Sequence, residues 1–243
     1  MQEIPESWYT SWFNSPYYHI LYKDRDYSEA AVFMDNLTEA LALPKTAHIL
    51  DLACGRGRHS IYLAGLGYQV TGADLSPKNI EAAKLHERPG LRFVIHDMCL
   101  PFQQKFDAIF NLFTSFGYFE GANDNLRAIR AIRQSLAPGG VGVIDFLNVN
   151  YVAQHLVSSE QKIVEGITFD IQREMDAKFI TKTITFKDGE ESYQFDERVA
   201  AMDLNQFKAY FELAGVKLLQ TYGNYQLDAF DPDSSERLIM IFK

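Results

Sequence analysis

Two carboxylates and two glycines, Asp51, Gly55, Gly57 and Asp74, stand at spacings that could hold a nucleotide. They fall within HILDLACGRGRHSIYLAGLGYQVTGAD, residues 48–74. A carboxylate at a strand tip can accept hydrogen bonds from both hydroxyls of a ribose, and this is the chemistry expected of Asp74. Gly55 and Gly57 let the backbone turn sharply and come close to a ligand. A helix opening near Arg58 would aim its free N–H groups and positive dipole end at that ligand, which favours an anionic group there. Asp51 interrupts an apolar run just before the turn.

Positioning these groups requires a strand, a turn, a helix and a second strand. Ile49-Leu50 and Leu52-Ala53 read as a strand buried on both faces. A dinucleotide fingerprint is G-x-G-x-x-G with an acid about 20 residues further on. Here the run is G-R-G-R-H-S, with Ser60 in the third glycine's place.

The segment resembles the class I, Rossmann-like S-adenosylmethionine-dependent methyltransferases, whose first motif, acid-x-x-x-G-x-G, closes strand one. Asp51, Gly55 and Gly57 fill that motif, and Arg58 stands where the family has a third glycine. The Arg58-His59 pair resembles the family's small-molecule subgroup. The resemblance implies S-adenosylmethionine as cofactor, its methionine part lying against Gly55 and Gly57, its ribose on Asp74 and its carboxylate near Arg58. Asp51 would order the turn. Asp97, after the strand LRFVIH, would accept from the adenine amino group, with Met98 packed on the ring. Ala53, Leu75 and Asn111 complete the implied cofactor contacts. Asp97 has a second reading, as the cap of its own loop.

Methyl transfer from a sulfonium is an in-line displacement in which positive charge is dissipated, so the protein must align two molecules and exclude water. No enzyme nucleophile is needed, which accords with a sequence lacking a recognisable Ser-His-Asp set, HExxH or paired glycosidase carboxylates. The strand FDAIFNLFTSFGYF runs into a loop at its C-terminal end, where open parallel sheets place ligands. Asn111, Leu112 and Phe113 are therefore expected at the reacting centre, with Tyr118 and Glu120 farther along. Phe113 and Phe116 read equally as core. Asp107, at the strand's start, is expected to be structural.

Tyr17, Tyr18, His19 and Tyr22 cluster ahead of any sheet residue. In related small-molecule methyltransferases such a segment folds over the cofactor as a lid. On that resemblance Tyr22 would lie near the cofactor carboxylate and His19 toward the acceptor, where an imidazole could take a proton from an amine. The competing reading is that these rings only pack a helix on a sheet.

The bulk numbers fit one large domain or a domain with an insertion. With 47% hydrophobic and 23% charged residues among 243, the chain is not of the disordered class, and no apolar run approaches the length of a membrane span. A net charge of −9 opposes binding to nucleic acid. Arg127, Arg130 and Arg133 read as one solvated helix face. Cys54 and Cys99 lack metal-ligand spacing and are expected to be free thiols, with no metal site. The N-terminus carries no export signal, so a cytoplasmic location is expected.

The expected fold is α/β: a doubly wound, mostly parallel seven-stranded sheet with an antiparallel β insertion and an N-terminal helical lid. Boundaries are read as lid 1–44, cofactor-binding core 45–150, insertion 151–202 and C-terminal part of the core 203–243. Strands are expected at 48–53, 68–73, 91–95, 106–111 and 140–147, and helices at 28–43, 58–66, 77–87 and 122–136. In the insertion, KIVEGITFDIQRE, KFITKTITFK and ESYQFDERVAAM alternate with period two, and Asp188-Gly189 marks a hairpin turn. Helix 203–214 and closing strands 216–222 and 236–242 follow. The function expected is methyl transfer to an N or O atom of a small molecule. The alternatives are an NAD-dependent oxidoreductase and a non-catalytic S-adenosylmethionine-binding protein.

Overall fold

The computed structural model of the protein describes residues 8–23, 27–119, 121 and 123–243. Glu120 lies outside them. In chain order the elements are α1 (Trp8–Phe13), α2 (Pro16–Leu21), α3 (Tyr27–Ala40), β1 (His48–Leu52), α4 (Arg58–Gly65), β2 (Gln69–Asp74), α5 (Pro77–Lys84), β3 (Leu91–Ile95), β4 (Phe106–Asn111) and α6 (Asp124–Ser135). There follow β5 (Leu136–Leu147), α7 (Val149–His155), β6 (Ser159–Val164), β7 (Ile167–Met175), β8 (Phe179–Asp188), β9 (Glu191–Ala200), α8 (Leu204–Ala214), β10 (Leu218–Tyr222) and β11 (Arg237–Phe242).

The chain divides into two compact units. One holds the seven-stranded sheet with α3 to α6 and α8, and the other holds α1, α2 and the four strands β6 to β9. The segment read as a single lid over 1–44 is thus shared between the units: α3 buries an apolar face in the core of the first, and Trp12 of α1 and Leu21 of α2 are buried in the core of the second. Ala30, Phe33, Met34 and Leu37 recur at helical spacing on α3 and are all buried, each large side chain contributing about 1.5–3 kcal/mol by leaving water.

The seven-stranded sheet has the order β10-β11-β5-β4-β1-β2-β3. β1 to β5 pair in parallel, and β11 runs antiparallel between β5 and β10. The strand order reverses between β1 and β4, which opens a crevice at their C-terminal ends and makes it the natural ligand site. Local chemistry sets the boundaries. Ser76 caps α5, accepting the Asn79 N–H at 3.1 Å with Pro77 in the first turn, and Asp203 and Gln206 form a reciprocal capping box on α8. Gly215, with φ +69°, ends α8. β5 starts earlier than expected, at Leu136. Its register against β4 shifts between Phe106 and Ala108, which absorbs Pro138-Gly139-Gly140 as a bulge.

Arg130 and Arg133 are not simply a solvated face. They donate to the carbonyls of Leu213 (3.2 Å) and Ala214 (2.9 Å), where the end of α8 leaves acceptors unpaired, while Arg127 pairs with Asp124 at 2.6 Å.

In the other unit, four antiparallel strands run in the order β6-β7-β8-β9. The period-two stretch KIVEGITFDIQRE forms two strands, because Glu165 (φ +53°) and Gly166 (φ +82°) turn the chain between β6 and β7. The aromatic N-terminus packs on this sheet. Trp12 and Leu21 are buried with Phe169, Ile171, Ile184 and Phe186, and Tyr17 lies against Phe186 and Tyr193. No described helix is long and apolar enough to cross a membrane, and the described residues contain no cluster of His, Cys, Asp and Glu able to hold a metal ion.

Candidate functional site

The glycine turn after β1 is built from left-handed backbone. Ala53, Gly55 and Gly57 have φ of +65°, +58° and +84°, and Gly57 N–H returns to Cys54 O at 3.0 Å to close it. The two glycines serve different ends. A Cβ on Gly57 would lie 2.5 Å from the Phe93 ring, so this glycine makes room for the core. A Cβ on Gly55 would meet no atom within 4 Å, so this glycine faces open space.

Asp51 and Asp74 brace the turn from two sides. Asp51 is fully buried and accepts the Ser60 hydroxyl at 2.5 Å. Burial raises its pKa to about 6; the Ser60 hydrogen bond works against that rise and the nearby Asp74 adds to it. Ser60, in the place of a third glycine, is thus the partner a buried carboxylate needs. Asp74 accepts Gly55 N–H on Oδ2 and Ser76 N–H on Oδ1, both at 2.9 Å, with Asn79 Nδ2 at 3.4 Å. Burial raises its pKa, opposed by these bonds. A carboxylate has about four lone-pair sites, so acceptor capacity for a sugar hydroxyl persists. Leu75 follows at the strand tip, half-buried.

Asn111 ends β4 beside the turn. Its Nδ2 donates to Leu52 O at 3.0 Å, while its fully buried Oδ1 has no donor among the described residues. A buried acceptor without a donor is costly and suits an ammonium or N–H ligand. Arg58 and His59 open α4, and both Nε and Nη2 of the guanidinium lie on His59 Nε2, at 3.2 and 2.9 Å. An open cradle at Gly55, a cation at a helix N-terminus, an orphaned acceptor and a strand-tip carboxylate together fit the carboxylate, ammonium and ribose of S-adenosylmethionine.

The other expected residues fall as follows. Asp97 Oδ1 caps its own loop through Cys99 N–H at 2.8 Å. Met98 borders a small apolar recess lined also by Leu52, Leu100 and Ile132. Asp107 accepts the His48 N–H at 2.8 Å, a structural contact between strands. Tyr118 follows Gly117 in the loop past β4 and is half-buried. Tyr22, in the other unit, donates to Glu197 at 2.8 Å and receives Lys182, and the His19 ring lies edge-on to Tyr18. Cys54 and Cys99 are free thiols.

Three residues were not anticipated from sequence: Asp145, Arg237 and Tyr225. Phe113 and Thr114, just past β4, both have left-handed backbone, with φ of +55° and +57°. Non-glycine residues in that region are strained and need support. Asp145, fully buried in β5, supplies it twice: its Oδ2 accepts Phe113 N–H at 2.7 Å and its carbonyl accepts Thr114 N–H at 3.1 Å. Arg237 pairs with Asp145 at 2.7 Å and donates to Thr114 Oγ1 at 2.9 Å. Burial disfavours the Arg237 charge, but the Asp145 carboxylate outweighs it and holds the guanidinium protonated. Tyr225 stacks on Phe33 (4.5 Å between centroids) and points its hydroxyl at Asp145 Oδ2 (3.3 Å). One signal was legible: Asp145 interrupts the apolar run VGVIDFL as Asp51 interrupts ILDLA, and a charge inside a buried strand must find a partner.

Comparison with known proteins agrees with this fold. Residues 49–140 match the family model described as a methyltransferase domain. Over 107 residues the chain is 36% identical to a ubiquinone biosynthesis O-methyltransferase of Cereibacter sphaeroides, a match covering 42% of each protein. An enzyme of the same name from Xanthomonas campestris is 34% identical over 123 residues, 48% of this chain and 49% of its own. The chain thus spans about half the length, or less, of the curated relatives it matches. A crystal structure of an S-adenosylmethionine-dependent methyltransferase from Clostridium acetobutylicum superposes with a TM-score of 0.78 over 93% of this chain and 95% of that one, at 22% identity. Residues 49–140 thus carry a methyltransferase domain, and the chain has the fold of the S-adenosylmethionine-dependent methyltransferase it superposes on.

Proposed function

We propose that the protein transfers a methyl group from S-adenosylmethionine to a nitrogen or oxygen atom of a small molecule. The observation that carries this reading is the orphaned, buried Oδ1 of Asn111, an amide tied through Nδ2 to Leu52 O just before the open turn at Gly55. When bound, S-adenosylmethionine supplies an electrophilic methyl on a sulfonium. In this reading Asp74 grips the ribose, Asn111 accepts from the amino group, Arg58 meets the carboxylate, and Asp51 with Ser60 keeps the turn in shape. Phe113, held at the end of β4, walls the acceptor side and excludes water, which is the larger part of what such a displacement asks of a protein. The relatives named for O-methylation in ubiquinone biosynthesis, and the amino pentose methyltransferase from Micromonospora echinaspora that shares this fold, support a small acceptor.

An NAD-dependent oxidoreductase is less well supported. The dinucleotide fold has strand order 3-2-1-4-5-6, whereas this sheet places antiparallel β11 between β5 and β10, and Ser60 fills the third glycine's place. The test is transfer of isotopically labelled methyl from S-adenosylmethionine to a panel of small amines and phenols. Labelled product supports the reading. Tight cofactor binding with no transfer to any member, nor to a small-molecule extract, indicates a binding protein without turnover.

A further inference from the structure

His59 has no role in the chemistry set out so far, yet it is held on two sides. Its ring stacks on Phe113 with centroids 4.5 Å apart and planes 14° from parallel. Its Nε2 faces Nε and Nη2 of Arg58 at 3.2 and 2.9 Å. A guanidinium has only donors, so Nε2 must be the acceptor and the ring proton sits on Nδ1. The Phe113 ring is held in turn by the Asp145 contact to its N–H, and by Phe33 and Tyr225 at 5.9 and 5.2 Å. A long, flexible side chain at the mouth of the glycine turn thus has a fixed direction.

We propose that His59 is a positioning residue: seated on Phe113, it orients the Arg58 guanidinium so that this cation and the N-terminus of α4 together recognise the carboxylate of the cofactor's amino-acid tail. The proposal rests on the cofactor assignment above. It also explains why a strained φ is kept at Phe113, since relaxing that backbone would withdraw the ring from His59.

The test separates tail recognition from general integrity by using two ligands, S-adenosylhomocysteine and 5′-methylthioadenosine, which shares the nucleoside but has no carboxylate. Calorimetric titration of His59→Leu should show S-adenosylhomocysteine bound roughly tenfold more weakly, the scale of one charge-assisted hydrogen bond, with 5′-methylthioadenosine changed by less than about twofold. His59→Gln, which keeps an acceptor near the Nε2 position, should stay within about threefold of the unaltered protein for both. If the leucine variant does not fold, His59→Asn, too short to reach Arg58, takes its place with the same expected selectivity. Equal loss for both ligands, or no loss for either, overturns the proposal. Binding of neither ligand by the unaltered protein would remove the cofactor assignment and this proposal together.

Discussion

Ser60 donates its hydroxyl hydrogen to Asp51 across 2.5 Å, with both side chains shut off from solvent. The contact explains how a carboxylate is tolerated inside β1, and why the chain does without a third glycine. Glycine there would leave Asp51 buried without this donor.

Asp51 gives a pH dependence of defined sign. Its pKa rises from about 4 in the unfolded chain to about 6 on folding, chiefly through burial. The folded state holds the proton more tightly, so the associated stability is present below pH 4 and lost as pH rises through 6. Asp51→Asn does not titrate. Its stability relative to the unaltered protein should rise by about 2–3 kcal/mol between pH 4 and pH 7, measured by urea unfolding at each pH. A flat difference across that window would show that Asp51 is not burdened by burial.

The glycines of the turn should separate in their effects. Gly57→Ala puts a Cβ 2.5 Å from Phe93 at φ +84° and should cost about 2–4 kcal/mol of stability. Gly55→Ala meets no protein atom and should cost about 1–2 kcal/mol, the left-handed penalty alone, while weakening S-adenosylhomocysteine about tenfold. Chemical denaturation and titration of the two variants check this. Similar losses of stability and affinity in both would contradict the division of roles.

Arg237→Met leaves Asp145 buried and unpaired, and should cost about 3–5 kcal/mol in urea unfolding. A loss under about 1 kcal/mol would mean that Asp145 finds its counter-charge elsewhere.

Much of this architecture is written in local pattern. Apolar runs gave β1 to β4 within a residue or two, and Ser76-Pro77, Asp203 with Gln206, Asp188-Gly189 and Gly215 mark ends through chemistry that acts over two to four residues. Less visible were features decided by distant partners. The aromatic N-terminus packs on β6 to β9 in its own unit, a choice among apolar faces that no spacing reveals. Arg130 and Arg133 read as solvated until α8 ends against them, more than 80 residues away. The Asp145–Arg237 pair spans 92 residues. Only the misplaced charge in an apolar strand announces it, without naming the partner.

Calorimetric titration of S-adenosylmethionine and NAD into the unaltered protein and Asp74→Asn decides whether the crevice at the ends of β1, β2 and β4 takes S-adenosylmethionine with Asp74 on its ribose. S-adenosylmethionine should bind in the micromolar range, NAD should not bind comparably, and the variant should lose at least about tenfold, the scale of a charge-assisted hydrogen bond. Preference for NAD, or an Asp74→Asn variant that binds S-adenosylmethionine as tightly as the unaltered protein, would contradict it.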